Sequence, residues 1–192
     1  MLTIKRKKDE RVIRAFTHKL ADIPDGVTVS VNDLSGKRLL EGTPIGGRDA
    51  GGLYHVLKTA TLAAAVTASD TNYPVLKGHH FMVGDVIMLS EGGKASAITS
   101  VDTSGATSDT LAVGATLGVA GAAGDAVYQA KTATAGSDSA LKHEPVALVG
   151  ESYDVEQTNL YVNAWTIGQV RESNIPAAGE AVKSRLKGIV FI

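Results

Sequence analysis

Short alternating runs separated by glycine-containing turns limit the fold of this 192-residue chain more than any other feature. Val27, Val29 and Val31 alternate with Thr28, Ser30 and Asn32, the period of a half-buried strand. Asn32-Asp33-Leu34-Ser35-Gly36 then turns the chain into Lys37–Leu40. The pattern is densest from Lys77 onward. Lys77–Val83, a Gly84-Asp85 turn and Val86–Leu89 predict a hairpin, and Ser90-Glu91-Gly92-Gly93 predicts the next reversal, into Lys94–Val101. Asp102–Gly105 turns again ahead of Thr110–Val113, and Ala126–Ala130 follows a glycine- and alanine-rich excursion over 114–124. This spacing predicts a mainly β chain with a small β-barrel or sandwich over about 72–135.

That unit reads as an insertion between N-terminal strands and a C-terminal strand–helix–strand unit. The expected division is a basic N-terminal arm over 1–26, a β-rich base from 27–71 and 140–192, and a small β-barrel domain over 72–139. Within 59–71, Ala63, Ala64 and Ala65 favour helix and the flanking Thr and Val favour strand; the strand spacing on both sides decides for strand. Leu160–Val170 alternates with apolar residues on both faces, so this strand is either central or covered by a second subunit. Pro176 at the start, Lys and Arg in the last turn and Gly188 just beyond predict a helix over about 176–187, with Ala178, Val182 and Leu186 as its inner stripe. The apolar run Ile189–Ile192 predicts a strand that inserts into a sheet or a partner.

Composition excludes several functions. The net charge is −1, so the whole chain is not an electrostatic binder of nucleic acid or anionic membrane. Basic residues gather at Lys5, Arg6, Lys7, Lys8, Arg11 and Arg14, with Val12, Ile13, Phe16 and Leu20 near helical spacing. No aromatic residues interleave for base stacking, which leaves a solvated arm or one that docks on an acidic partner or neighbouring subunit. The absence of cysteine removes disulfides, thiol catalysis and Cys-based zinc sites. The basic N-terminus is followed by no apolar run, so no signal peptide is expected, and Leu62–Val66 is too short to span a bilayer. Synthesis in a cytoplasm is the expectation.

No catalytic constellation emerges. The glycine-rich loop over 41–52 lacks the Gly-Lys-Ser/Thr ending of a phosphate loop, the glycines at 114, 118, 121 and 124 lack dinucleotide-binding spacing, and no serine sits in a Gly-x-Ser-x-Gly elbow. His79-His80 beside Asp85, joined by His55, is the arrangement closest to a metal site. Successive residues on a strand point to opposite faces, so this pair does not readily share one ion, and the histidines read as surface or turn residues. The expectation is therefore no catalytic residue, no cofactor and no metal. Tyr54, Tyr161 and Trp165 leave open a carbohydrate-binding β module.

Lys77-Gly78-His79-His80-Phe81-Met82-Val83-Gly84-Asp85-Val86-Ile87 resembles a phrase of tailed-bacteriophage head fiber and capsid decoration (auxiliary capsid) proteins. Ala97–Ser104 and Asp109–Val119 follow in the same order. Leu40–Gly46 with Gly52–Val56 is similar to the N-terminal portion of such proteins, and Val170–Pro176 with Leu186–Ile192 to their ending. The resemblance spans roughly 27–192. It implies a non-enzymatic structural virion protein, made in the host cytoplasm and bound to the major capsid protein on the capsid exterior. It further implies a homo-oligomer, a trimer being favoured, to which a further fiber protein can attach, and no nucleic-acid or membrane partner. A tail, neck or baseplate component remains the alternative within virions. Lys5, Arg6, Lys7, Lys8, Arg11, Arg14, Tyr161, Trp165 and Phe191 are the candidate partner contacts.

Overall fold

The computed structural model describes residues 14–35, 38–156 and 158–192. Strands make up 41% and helices 6%, so the chain is mainly β, as its alternation predicts. In chain order the strands are β1 (Phe16–Asp22), β2 (Val27–Val29), β3 (Arg38–Leu39), β4 (Pro44–Gly46), β5 (Thr59–Thr61), β6 (Asn72–Leu76), β7 (Val86–Met88) and β8 (Ser96–Asp102). They continue with β9 (Ser108–Val113), β10 (Ala126–Ala130), β11 (Pro145–Val149), β12 (Tyr153–Asp154), β13 (Leu160–Val162), β14 (Ala164–Val170) and β15 (Ile189–Phe191). Helix α1 (Glu180–Lys183) precedes the last strand.

Two sheets dominate. The base is a five-stranded sheet in the order β1-β14-β11-β4, with β15 lying parallel against β14. The other is six-stranded, in the order β5-β10-β7-β8-β9-β6. Its end strands meet only at a single bridge, Leu62 to Val75, and no sheet closes into a barrel. Of the two expected architectures, the sandwich-like one fits. The sheets share a core in which Phe16, Leu148 and Val170 of the base pack with Met88 and Tyr128 of the six-stranded sheet. A second cluster, with Tyr73, Ile87 and Leu111 fully buried, fills the six-stranded unit, and a third, with Val29, Ile45, Val149 and Val162, lies on the other side of the base. Each such side chain contributes roughly 1.5–3 kcal/mol by leaving water.

This layering explains the two-faced stretch Leu160–Val170. The chain breaks at Asn163, and β13 leaves to pair with β2 while β14 stays central in the base. Leu148 and Val170 face the shared core, and Ala147, Val149 and Ala164 face the third cluster, so both faces are covered from within the chain around β11 and the start of β14.

Several local expectations change. The Lys77–Leu89 stretch is not a hairpin: the strand before the turn is β6, and β6 pairs with β9, whereas β7 pairs with β8 and β10. Pro74 lacks an N–H and suits β6 to an edge, where it sits. The turn itself is present, with Gly84 at φ 91° and Asp85 N–H donating to Met82 O over 3.1 Å. Part of the stretch read as an arm, Phe16–Asp22, is a base strand, and Ala15 N–H donates to Glu41 Oε2 at 3.0 Å beside it. β5 belongs to the six-stranded sheet, so the expected boundary near 71 falls after that sheet has begun. The helix is confined to Glu180–Lys183 because Gly179, packed against the Tyr128 ring where a Cβ has no room, serves as its N-cap. Ala178, Val182 and Leu186 are nonetheless all buried, as the stripe predicts.

Candidate functional site

Two polar clusters flank the extended segment from Tyr54 to Lys58. Backbone bridges from Tyr54 to Val29 and from Val56 to Ile45 hold this segment against the base, and Val56 and Leu57 are fully buried. His55 and Lys58 leave it in different directions.

Lys58 goes inward. Only 2% of it is exposed, and its Nζ donates to Asp85 Oδ2 at 2.7 Å. The same carboxylate accepts Met82 N–H at 2.8 Å and Gln129 Nε2 at 2.8 Å. Burial lowers the Lys58 pKa, opposed by the hydrogen bond to Asp85. Nearby, burial and the Lys58 charge push His80 down to about 4, so it is neutral at pH 7. His79 lies 3.2 Å from Asp109 Oδ2, and Lys77 Nζ donates to Asp109 Oδ1 at 2.5 Å. The grouping of His79 and His80 with Asp85 and His55 is therefore not assembled: each histidine has its own surroundings, and Asp85 is committed to Lys58.

His55 goes toward solvent and is half-buried. Its Nδ1 lies 2.7 Å from Asp33 Oδ2 and its Nε2 3.1 Å from Asp49 Oδ2. A carboxylate beside each nitrogen favours the doubly protonated ring, in which both N–H groups donate. Burial opposes that charge, but the bonds to Asp49 and Asp33 outweigh it and raise the His55 pKa. Asp33 ends a short 3₁₀ turn, Val31–Asp33, and is buried. Asp49 belongs to a loop closed on itself, with Leu53 N–H donating to its Oδ1 at 2.8 Å; that bond and His55 lower its pKa. The His143 ring stacks on His55, centroids 4.7 Å apart and planes 7° from parallel. Burial, then the His55 charge, push His143 to about 4, and its Nε2 is buried without a hydrogen-bond partner. A ring with both nitrogens engaged offers no lone pair, so His55 in this state is no general base.

The partner contacts expected from sequence are dispersed. Lys5, Arg6, Lys7, Lys8 and Arg11 lie outside the described residues. Arg14 is exposed, and its carbonyl accepts Asn174 Nδ2 at 3.0 Å. Tyr161 is 60% exposed on β13, its hydroxyl donating to Asp25 O. Trp165 is half-buried on β14, tilted against Phe16 at 6.4 Å with Lys19 Nζ 5.4 Å above it. Phe191 packs on the shared core under Lys183 Nζ at 5.6 Å. Trp165 and Phe191 thus serve the core more than the surface.

Exposed apolar residues instead collect on the outer face of the base. His18 and Val190 both pair with Gln169, so the three share a face, and Ile167 and Leu20 extend it by strand alternation. Leu20, Ile167 and Val190 are 65%, 44% and 56% exposed. The adjoining edge, β1, is irregular, with register shifts between Phe16 and His18, between Lys19 and Ala21 and between Ala21 and Asp22. Bulges and charge of this kind disfavour edge-to-edge strand pairing.

Sequence reasoning missed Asp33, Asp49 and His143 as neighbours of His55. Asp33 lies in a turn signal and Asp49 in the glycine-rich loop, so both read as turn chemistry. The remaining signal, a histidine two positions ahead of a proline-led strand, carries no spacing rule. The chain matches no known protein family and no curated protein sequence.

Proposed function

We propose that this chain is a non-enzymatic structural virion protein that binds the major capsid protein on the outside of a tailed-phage head, as a decoration or head fiber protein. The observation that carries the reading is the outward face of Leu20, Ile167 and Val190, apolar on an otherwise well-covered sheet. Such a face suits contact with a second copy or with the capsid. The ordered resemblance over 27–192 supplies the capsid setting, and its segments lie in both the base and the six-stranded sheet. Homo-oligomers, a trimer being favoured, would cover the apolar face and present the six-stranded unit outward.

Sedimentation of the purified chain, alone and with heads lacking their decoration protein, tests the reading. The expected result is an oligomer that co-sediments with heads, and an Ile167→Lys variant that remains folded but loses assembly. A folded monomer that ignores heads would sink the proposal. Labelling of tails in place of heads would move the protein to the neck or baseplate.

A further inference from the structure

We propose that Asp33, His55 and His143, with Asp49 at the rim, form a binding site for one divalent transition-metal ion, Zn²⁺ fitting the donor set best. One donor atom from each of Asp33, His55 and His143 already lies within 4.8 Å of the others. Two imidazoles and one or two carboxylates are a set that Zn²⁺ favours, and hard cations such as Mg²⁺ do not. Zinc holds its ligands at about 2.0–2.2 Å, which puts tetrahedral donors about 3.4 Å apart, so the farther donors close by about 1 Å while Asp33 Oδ2 and His55 Nδ1, now 2.7 Å apart, open slightly.

Two further features single out this cluster. The first is the buried, unpartnered Nε2 of His143, a polar atom whose burial has no hydrogen bond to offset it. The second is Gly46. Its backbone lies in the ordinary region, but a Cβ there would come 2.6 Å from the His143 Cβ. Glycine at 46 is thus what lets His143 settle over His55. The charges also suit an ion: two carboxylates face one imidazolium, and a metal takes the place of the proton that His55 shares with them, releasing it to solvent. Stacked rings aim their lone pairs along parallel planes, so one ring turns about its Cβ–Cγ bond on binding. The bound ion would join the Val31–Asp33 turn, the loop carrying Asp49 and the start of β11.

Titration calorimetry and thermal unfolding of the full chain with Zn²⁺, reversed by a chelator, test this. The expected result is one saturable site, a midpoint raised by about 5 °C or more at 100-fold excess over Kd, and at least a tenfold weaker Kd in His143→Ala. Asp49→Asn, at the rim, is expected to weaken binding less, and His18→Ala not at all. No binding, or equal affinity in His143→Ala, overturns the site. Should His143→Ala fail to fold, Co²⁺ added to the unaltered chain decides. The intense visible absorption of a four-coordinate ion with histidine ligands supports the site, and the weak absorption of a six-coordinate hydrated ion overturns it.

Discussion

Lys58 and His55 stand three positions apart on one segment, yet their polar clusters obey different rules. The Lys58 cluster is closed around its ion pair: the ammonium is buried and its carboxylate is saturated by Lys58, Met82 and Gln129, and the single unpartnered atom there, Gln129 Oε1, lies on the amide and not on the pair. The His55 cluster is open at the rim and leaves one imidazole nitrogen unused. A saturated buried pair fixes how strands meet, because each partner is intolerable alone. An unsaturated, half-exposed group can accept a newcomer. The contrast separates a structural element from a binding element without reference to either residue's type.

The largest effect that would break this contrast is at Asp85. Asp85→Ala leaves Lys58 charged and buried, and is expected to cost about 3–5 kcal/mol in urea unfolding. Replacing both partners by apolar residues of similar volume should recover most of it. A single variant costing under about 1 kcal/mol would show that Lys58 reaches water. Acid sharpens the same point through His80. Its folded pKa, about 4, lies below the unfolded 6.5, so its contribution is full above pH 6.5 and is lost as pH falls toward 4. The loss amounts to about 3 kcal/mol at most. Urea melts at pH 7 and 4.5 check it, and His80→Gln should flatten the difference. At the open cluster, His55→Gln in metal-free buffer is expected to cost no more than about 1 kcal/mol. Smallest of all, Ile167→Lys should change the unfolding free energy by less than about 0.5 kcal/mol while abolishing self-association. Equal losses at His55 and Asp85 would erase the distinction.

The alternation of Val27 and Val29, the Gly84-Asp85 turn, the inner stripe of Ala178, Val182 and Leu186 and the strand at Ile189 were legible because each is set by neighbours in sequence, whereas the strand expected to run on through Val31 gives way there to a 3₁₀ turn. What was not legible depends on distant ones. The pairing of β6 with β9 skips two strands, and no local signal distinguishes it from a hairpin with β7. Gly179 falls inside the helix predicted over about 176–187, but the Tyr128 side chain packed against it makes it the cap. Likewise Asp33, His55 and His143 come from a turn, a loop exit and a strand entrance, with no shared period to announce them. The Lys58–Asp85 pair was hidden by burial, which a lone lysine in sequence does not advertise.

The two sheets also differ in when they can exist. All six strands of the outer sheet come from one uninterrupted span, β5 to β10, whereas β1 of the base waits for β14, with Thr17 and Gln169 152 positions apart. At about 5–20 residues per second on the ribosome, that wait is on the order of 10–30 s. Over the last part of that interval, once β10 has been made, the six-stranded sheet can be complete while Phe16 and its strand hang unpaired. The bulged, charged β1 is a strand fitted to survive such an interval in a crowded cell without pairing with the wrong chain.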